Sequence, residues 1–279
     1  MIIVATRFMV AILFTVLSLT VNAASRYTLA TEVVSEGQSP RSEVAIVTLA
    51  GDKGRIDIIE RNGRKEEGGL YLMTLDGGKT AVLGDKGESM CTEWDSEEFF
   101  REMGKLLHKA RRWQNLEITD LKVEKVLEKP GPELLGYATT HVRLVTTAGV
   151  KLSVLIKKHH YAIEITDDFW MASQLEIHPI EKQWINAQTS TGFDLLDQVL
   201  DSWYLHLPAT ILKQESVFRY IDLVKDEKST KVEKINITSI RKLDPSKIPV
   251  ELFEMPKCKK VSRRKMQAAA KDIINKTLK

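Results

Sequence analysis

Gly51-Asp-Lys-Gly-Arg-Ile-Asp-Ile-Ile-Glu-Arg-Asn-Gly63 is a β-rich run, Arg55–Glu60, held between two turn clusters, Gly51–Gly54 and Asn62-Gly63. Glycine and Asn-Gly supply the positive φ angles that tight hairpins need. The same unit recurs on both sides. Upstream lie Tyr27–Val34 and Glu43–Leu49, parted by Gly37-Gln-Ser-Pro40. Downstream lie Gly69–Leu75, Lys79–Leu83 and Ser89–Trp94, parted by Asp76-Gly77-Gly78 and Gly84-Asp-Lys-Gly87. Short strands at a spacing of about 8–12 residues predict an antiparallel meander.

A helix is predicted next, over 96–112. Asp95 is its cap, Glu98 stands at the capping-box position, and Trp94 can staple onto Phe99. Phe99, Met103, Leu106, Leu107 and Ala110 form one apolar stripe, so the helix should lie on the sheet. Strands resume at Leu116–Leu127, Gly136–Thr146, Val150–Lys157 and Tyr161–Thr166, with Pro130-Gly-Pro132 as a strong break. Asp167-Asp168 then reads as a turn and cap, leading into a less regular stretch. Phe193, Leu196, Val199, Leu200, Trp203 and Leu207 recur at helical spacing, which predicts a short helix over 193–207 with a broad apolar face. Strands return at Thr210–Lys225 and Lys231–Lys242. Pro249–Pro256 precedes a C-terminal helix over 262–277.

The N-terminus has the three parts of a secretory signal. Arg7 is its charge, Phe8–Leu19 is apolar but for Thr15 and Ser18, and Val21-Asn22-Ala23 places compact residues before a cleavage site after Ala23. The rival reading is an uncleaved anchor, but the apolar run falls short of the ~20 residues that span a bilayer. Residues 1–23 are therefore expected to be removed, leaving 24–279 in the periplasm or outside the cell. The chain then keeps 40 basic and 38 acidic side chains, net +2. That balance gives no case for nucleic-acid binding. Cys91 and Cys258 are its two cysteines. An oxidising compartment permits one disulfide between them, and two buried thiols that never meet is the alternative.

The order of these pieces resembles a known superfamily. Gly51-Asp-Lys-Gly-Arg-Ile-Asp-Ile58, Tyr71-Leu-Met-Thr-Leu-Asp76 and Lys79-Thr-Ala-Val-Leu83 resemble the early hairpins of bacterial periplasmic proteins of the lipoprotein-carrier-like (LolA-like) superfamily. Asp168-Phe-Trp-Met-Ala-Ser173 looks like a strand end where many relatives carry Trp. Val232–Ile240 followed by Ile248–Lys257 is similar to the closing motif of a domain-of-unknown-function family within it, with Cys258 and Lys259 in place of the usual Gly-Tyr. The resemblance implies an α+β fold: a curved antiparallel β-sheet, or half-open β-barrel, with helices covering the concave face. It also implies a hydrophobic ligand there, a lipid or a lipoprotein acyl chain. Trp94, Phe99, Trp113, Trp170, Phe193, Leu196, Leu200 and Trp203 would line that cavity, although each is also an ordinary core residue.

Catalytic and cofactor motifs are lacking. Gly78-Lys79-Thr80 is no P-loop, because Met73 stands where the first glycine is required and a strand follows. His159 and His160 are adjacent on a strand, so they point to opposite faces and cannot readily share a metal. Neither a Gly-x-Ser-x-Gly elbow nor an HExxH is present. No metal, cofactor or catalytic residue is expected. Lys257, Lys259, Lys260, Arg263, Arg264 and Lys265 form a basic run that suits either solvent or anionic lipid head groups. The expectation is an exported, non-enzymatic protein that binds a hydrophobic ligand or lipidated partner, with peripheral membrane contact through 257–265. The second reading is an interaction or envelope-stress-sensing module with a filled core. An undetected hydrolase, whose site would converge only in space, is the third.

Overall fold

In the computed structural model the described residues are 24–262 apart from 67–68, 88, 114–116, 155–156, 176, 245–246 and 255–256. The expected signal peptide with its cleavage after Ala23 lies outside them, as does the expected C-terminal helix beyond Ser262.

Two meanders share one sheet. The first contains β1 (Ala24–Ser35), β2 (Arg41–Ala50), β3 (Lys53–Arg61), the short β4 (Arg64–Lys65), β5 (Leu70–Leu75), β6 (Thr80–Asp85) and β7 (Met90–Asp95). After α1 (Ser96–Trp113) the second contains β8 (Glu117–Pro130), β9 (Thr140–Val154) and β10 (Lys157–Ala172). Two helices follow, α2 (Pro179–Gln188) and α3 (Asp194–His206), then β11 (Thr210–Asp222), β12 (Glu227–Leu243) and β13 (Lys259–Lys260). The order across the sheet is β13-β7-β6-β5-β3-β2-β1-β12-β11-β10-β9-β8. Every pairing is antiparallel except β13 with β7. The sheet is curved and unclosed.

Hairpin chemistry explains the first meander. Asn62 and Gly63 take φ of 50° and 75°, and Gly51 takes 59°, the left-handed values that the turns demand. The α1 start follows the capping rule. Asp95 accepts the Glu98 amide at 2.8 Å, and the Trp94 and Phe99 rings meet at 5.5 Å.

The second meander departs from the expected strands in three places. β9 is continuous through Gly149, where a break was expected. A Cβ there would sit 2.5 Å from the Thr119 hydroxyl, so the glycine marks close approach by β8 instead of a turn. β10 runs through Asp167 and Asp168 to Ala172, so these two are strand residues and not a turn. Pairing on both sides, with β9 and β11, overrides their turn preference. The stretch after β10 contains α2, which was not expected.

One face of the sheet carries the main core. Tyr27, Val47, Leu49, Ile56, Leu72, Ala81, Ile235 and Ile237 meet Phe99 and Phe100 of α1 and Ile180, Trp184 and Ala187 of α2. The opposite face of β3, β5, β6 and β7 carries a smaller cluster, Tyr71, Met73, Val82 and Cys91. The C-terminal segment crosses that cluster. Cys258 is disulfide-bonded to Cys91 with Cα atoms 5.7 Å apart. Arg55 donates to the Leu252 carbonyl at 2.8 Å while its guanidinium lies 4.8 Å from the centre of the Tyr71 ring. β13 then adds to β7, the Lys259 amide donating to the Ser89 carbonyl at 2.8 Å. Asp57 sits beneath. Burial alone would raise its carboxyl, but hydrogen bonds from Arg55 and Lys86 outweigh that and hold it low.

Reduction, or the double variant Cys91→Ala/Cys258→Ala, should lower the unfolding free energy by about 2–5 kcal/mol, because the bond closes a loop of 167 residues. Urea titration measures the loss, and amide exchange should place it first in β13. His178 gives a second test. It is 3% exposed, its Nδ1 accepts the Ile180 amide at 3.3 Å, and burial pushes its pKa down to about 4. Between that value and the unfolded 6.5 the native state binds fewer protons than the unfolded chain. Stability should therefore fall as pH drops through this window, by up to roughly 3 kcal/mol. His178→Asn keeps a cap acceptor without the titration, so urea midpoints at pH 7 and pH 4 should differ less in that variant.

Candidate binding face

Strand register decides which side chains share a face. Phe169 pairs with Gln214, and Gln214 with Ile235, so Phe169 lies on the face that carries the main core. There Val142, Leu144, Phe169 and Met171 form a second apolar cluster, with Leu207 buried in it, Trp203 packed against it and Ile211 packed against both clusters. The helix α3 therefore lies over β9 and β10 on the same face that α1 and α2 occupy further along.

The predicted lining residues divide into groups. Trp94 and Phe99 belong to the main core, joined through Phe100 to Trp184 at ring separations of 5.5, 5.2 and 6.0 Å. Phe193, Leu196, Leu200 and Trp203 come together on α3 and its N-cap. Phe193 and Leu200 are buried, while Leu196 and Trp203 are half-buried. The Trp113 side chain lies outside the described part of the structure. Trp170 is on the other face, which corrects its place in the set. Strand alternation puts it opposite Phe169 and Met171. It stacks on His141 at 4.5 Å and 6°, with the Lys213 ammonium 4.3 Å from its ring centre.

Polar ties hold α3 at both ends. The Asp197 carboxylate accepts from the Thr191 hydroxyl at 2.6 Å and from the Thr191 and Gly192 amides at 3.0 and 2.9 Å. Gly104 of α1 lies so near Thr191 that a Cβ would come 2.0 Å from its carbonyl oxygen. Towards the C-terminus, the Trp203 indole donates to the Thr146 hydroxyl at 3.0 Å. The Tyr204 hydroxyl donates to Gln188 of α2 at 2.6 Å, and burial raises the Tyr204 pKa.

A buried polar row runs across the same face, beside the row in which Phe169, Gln214 and Ile235 pair. Leu144, Asp167, Ser216, Glu233 and Val33 pair successively across β9, β10, β11, β12 and β1. Asp167 is 1% exposed, Ser216 2% and Glu233 7%. The Ser216 hydroxyl donates to Asp167, and Gln214 donates to Ser216 at 3.0 Å. Lys231 pairs with Glu233 at 3.3 Å and lies over the Phe218 ring. Sequence reasoning missed this row, because it exists only through the register of five strands, with Asp167 and Ser216 49 residues apart.

The opposite face carries a charged ladder. Asp168 accepts two hydrogen bonds from Arg143 at 2.8 and 3.0 Å and pairs with the His141 Nε2 at 2.6 Å. Burial alone would raise the Asp168 carboxyl, but these bonds outweigh it and hold the group ionised. Among the described residues no group of three or more His, Cys, Asp or Glu could hold a metal ion.

No protein-family model and no curated protein sequence matches the chain. It is similar to a solved LolA superfamily protein from Nitrosomonas europaea at 8% identity and a TM-score of 0.30, over 85% of this chain and 92% of that one. A second similar structure, from Vibrio parahaemolyticus, is described as an outer membrane lipoprotein-sorting protein domain. It aligns at 8% identity and a TM-score of 0.29, over 83% of this chain and 89% of that one. Overlap of this size carries neither a fold nor a function to this chain.

Trp203→Phe should keep the packed ring and remove the bond to Thr146, at a cost of about 1 kcal/mol. Hydrogen exchange should quicken in α3 and stay unchanged in α1. Equal quickening in both helices would mean that α3 is not a separately held element.

Proposed function

We propose that this is an exported, non-catalytic periplasmic protein that holds a hydrophobic ligand, a lipid or a lipoprotein acyl chain, on the helix-covered concave face of a half-barrel. The observation that carries this reading is the second apolar cluster beneath the end of α3, which meets the main core only at Ile211. Val142, Leu144, Phe169 and Met171 form an apolar floor covered by Trp203 at the end of α3 and by Leu207 and Ala209 of the chain that leaves it. Lifting α3 would expose that floor and leave the Tyr27–Trp184 core intact. An acyl chain would replace the helix, and its binding would draw on apolar burial at roughly 25 cal/mol per Å². The Asp167–Ser216–Glu233 row stands beside the floor, where it would meet the polar end of an amphiphile.

A specific observation also favours the alternative, a non-catalytic interaction or envelope-stress-sensing module with a filled core. Trp94 and Phe99, two of the expected lining residues, are 7% and 6% exposed within the main core. The β1–β7 half is thereby filled, and a ligand is assigned to the α3 half alone.

Native mass spectrometry of protein recovered from its own host should show a co-purified lipid. A fluorescent fatty acid should bind the delipidated protein, and Phe169→Asp should lower that affinity about tenfold or more, since it puts a charge in the floor. Protein that carries no lipid and ignores the fatty acid would overturn the ligand reading in favour of the filled module.

A further inference from the structure

Strand direction sorts the loops into two ends. The β11–β12 turn, the β1–β2 loop, the Asn62-Gly63 turn and the β6–β7 turn all lie at one end, because each joins antiparallel neighbours there. β13 reaches the same end. It pairs parallel with the first two residues of β7, Lys259 with Met90 and Lys260 with Cys91. The disulfide at Cys258 fixes that placement. Lys259 and Lys260 of the basic run are thus brought to the hairpin tips by a strand that the sequence did not reveal.

Two features distinguish this end. Leu223 and Val224 stand at the tip of the β11–β12 hairpin, 52% and 62% exposed. Their turn is firmly built, since the buried Asp222 carboxylate accepts the Val224 and Lys225 amides at 3.0 and 3.2 Å. The Leu223 amide also donates to the His160 carbonyl at 2.7 Å. An adjacent aliphatic pair on a rigid tip gains nothing from water. Charge is the second feature. Arg64, Lys65, Lys86, Lys225, Lys228, Lys259 and Lys260 are exposed at this end, against exposed Glu36, Glu117, Asp226 and Glu227, with Lys86 paired to Asp57 and Lys260 to Glu93. At the far end the exposed charges nearly balance, Asp52, Asp76, Asp95, Glu128, Glu133 and Asp244 standing against Arg26, Lys79, Lys129, Arg241 and Lys247.

We propose that this end docks on an anionic lipid bilayer, with Leu223 and Val224 entering the head-group boundary and the Lys and Arg side chains lying over lipid phosphates. Apolar insertion and electrostatic attraction act together in such peripheral contacts. No helix among the described residues is long and apolar enough to cross a membrane. The tip lies on strands outside the α3 floor, so docking is independent of the ligand reading.

Sedimentation with vesicles tests the proposal. The full chain should bind phosphatidylcholine vesicles containing phosphatidylglycerol more tightly than phosphatidylcholine alone. Leu223→Ser/Val224→Ser should weaken binding about tenfold, and Lys259→Glu/Lys260→Glu at least about tenfold. Leu205→Ser, at an exposed leucine on α3, should change nothing. Every variant carries the same N-terminus, so any contribution from residues 1–23 is common to all. Unchanged binding in either double variant, equal loss in Leu205→Ser, or no preference for the anionic vesicles would overturn it. Lipid co-purification should survive Leu223→Ser/Val224→Ser, which separates this result from the fate of the interior ligand.

Discussion

The antiparallel pairing of β1 with β12 is the contact on which the rest of the structure depends. It joins Ala24–Ser35 to Lys231–Leu243 and so fuses the two meanders into one sheet. Without it the β1–β7 and β8–β12 sets would be two narrower sheets with four edges between them. Closing a loop of roughly two hundred residues costs little more than closing one of fifty, because loop entropy grows only logarithmically. What the pairing must supply is a single register, since a slip of one residue would turn every side chain on one meander to the wrong face. The bulge at Thr28/Leu29 sits inside this seam, and across it Tyr27, Leu29, Ile235 and Ile237 all reach the main core.

That register explains why the edges are tolerable. Edge strands invite pairing with other chains. β8 is long, but it carries two irregularities in its pairing with β9, at Thr119/Lys122 and Lys125/Leu127, and ends on Pro130. Asp120 takes a φ of 53°, which twists the strand out of a regular ladder. Lys122, Lys125 and Lys129 add charge along it. The other edge is guarded differently. β13 is only two residues long and is tied down beside the disulfide.

Most of the fold was legible because it rests on local chemistry. The hairpins of the first meander are written in Gly and Asn-Gly turns, and α1 in Asp95, Glu98 and the Trp94–Phe99 staple. Reading failed where tertiary pairing outweighed local preference. Asp167-Asp168 favours a turn, yet each carboxylate finds a partner on its own face, Ser216 on one side and Arg143 with His141 on the other. Had β10 been extended to Ala172, alternation alone would have sent Trp170 away from Phe169 and out of the lining set. The helix α2 did leave a signal: Pro179 at its first position and Ile180, Trp184 and Ala187 at helical spacing. The Cys91–Cys258 bond stayed open in the sequence because spacing along a chain does not determine proximity.

The polar row across the helix-covered face bears on how the molecule could hold anything at all. A continuous apolar interior from Tyr27 to Leu207 would pack as one cooperative core, with α3 as firmly seated as α1. Between Phe169 and Ile235 that interior is broken by Gln214, and Asp167, Ser216 and Glu233 form a polar row along its border. Buried carboxylates are costly unless they are hydrogen-bonded, and here Ser216 donates to Asp167 and Lys231 to Glu233, with Gln214 donating to the Ser216 hydroxyl. The interruption leaves Val142, Leu144, Phe169 and Met171 as a cluster of their own, and a small cluster under one helix opens at lower free energy than a shared core. The α3 cluster meets the main core only through the half-buried Ile211, while α1 and α2 share theirs through Phe100 and Trp184.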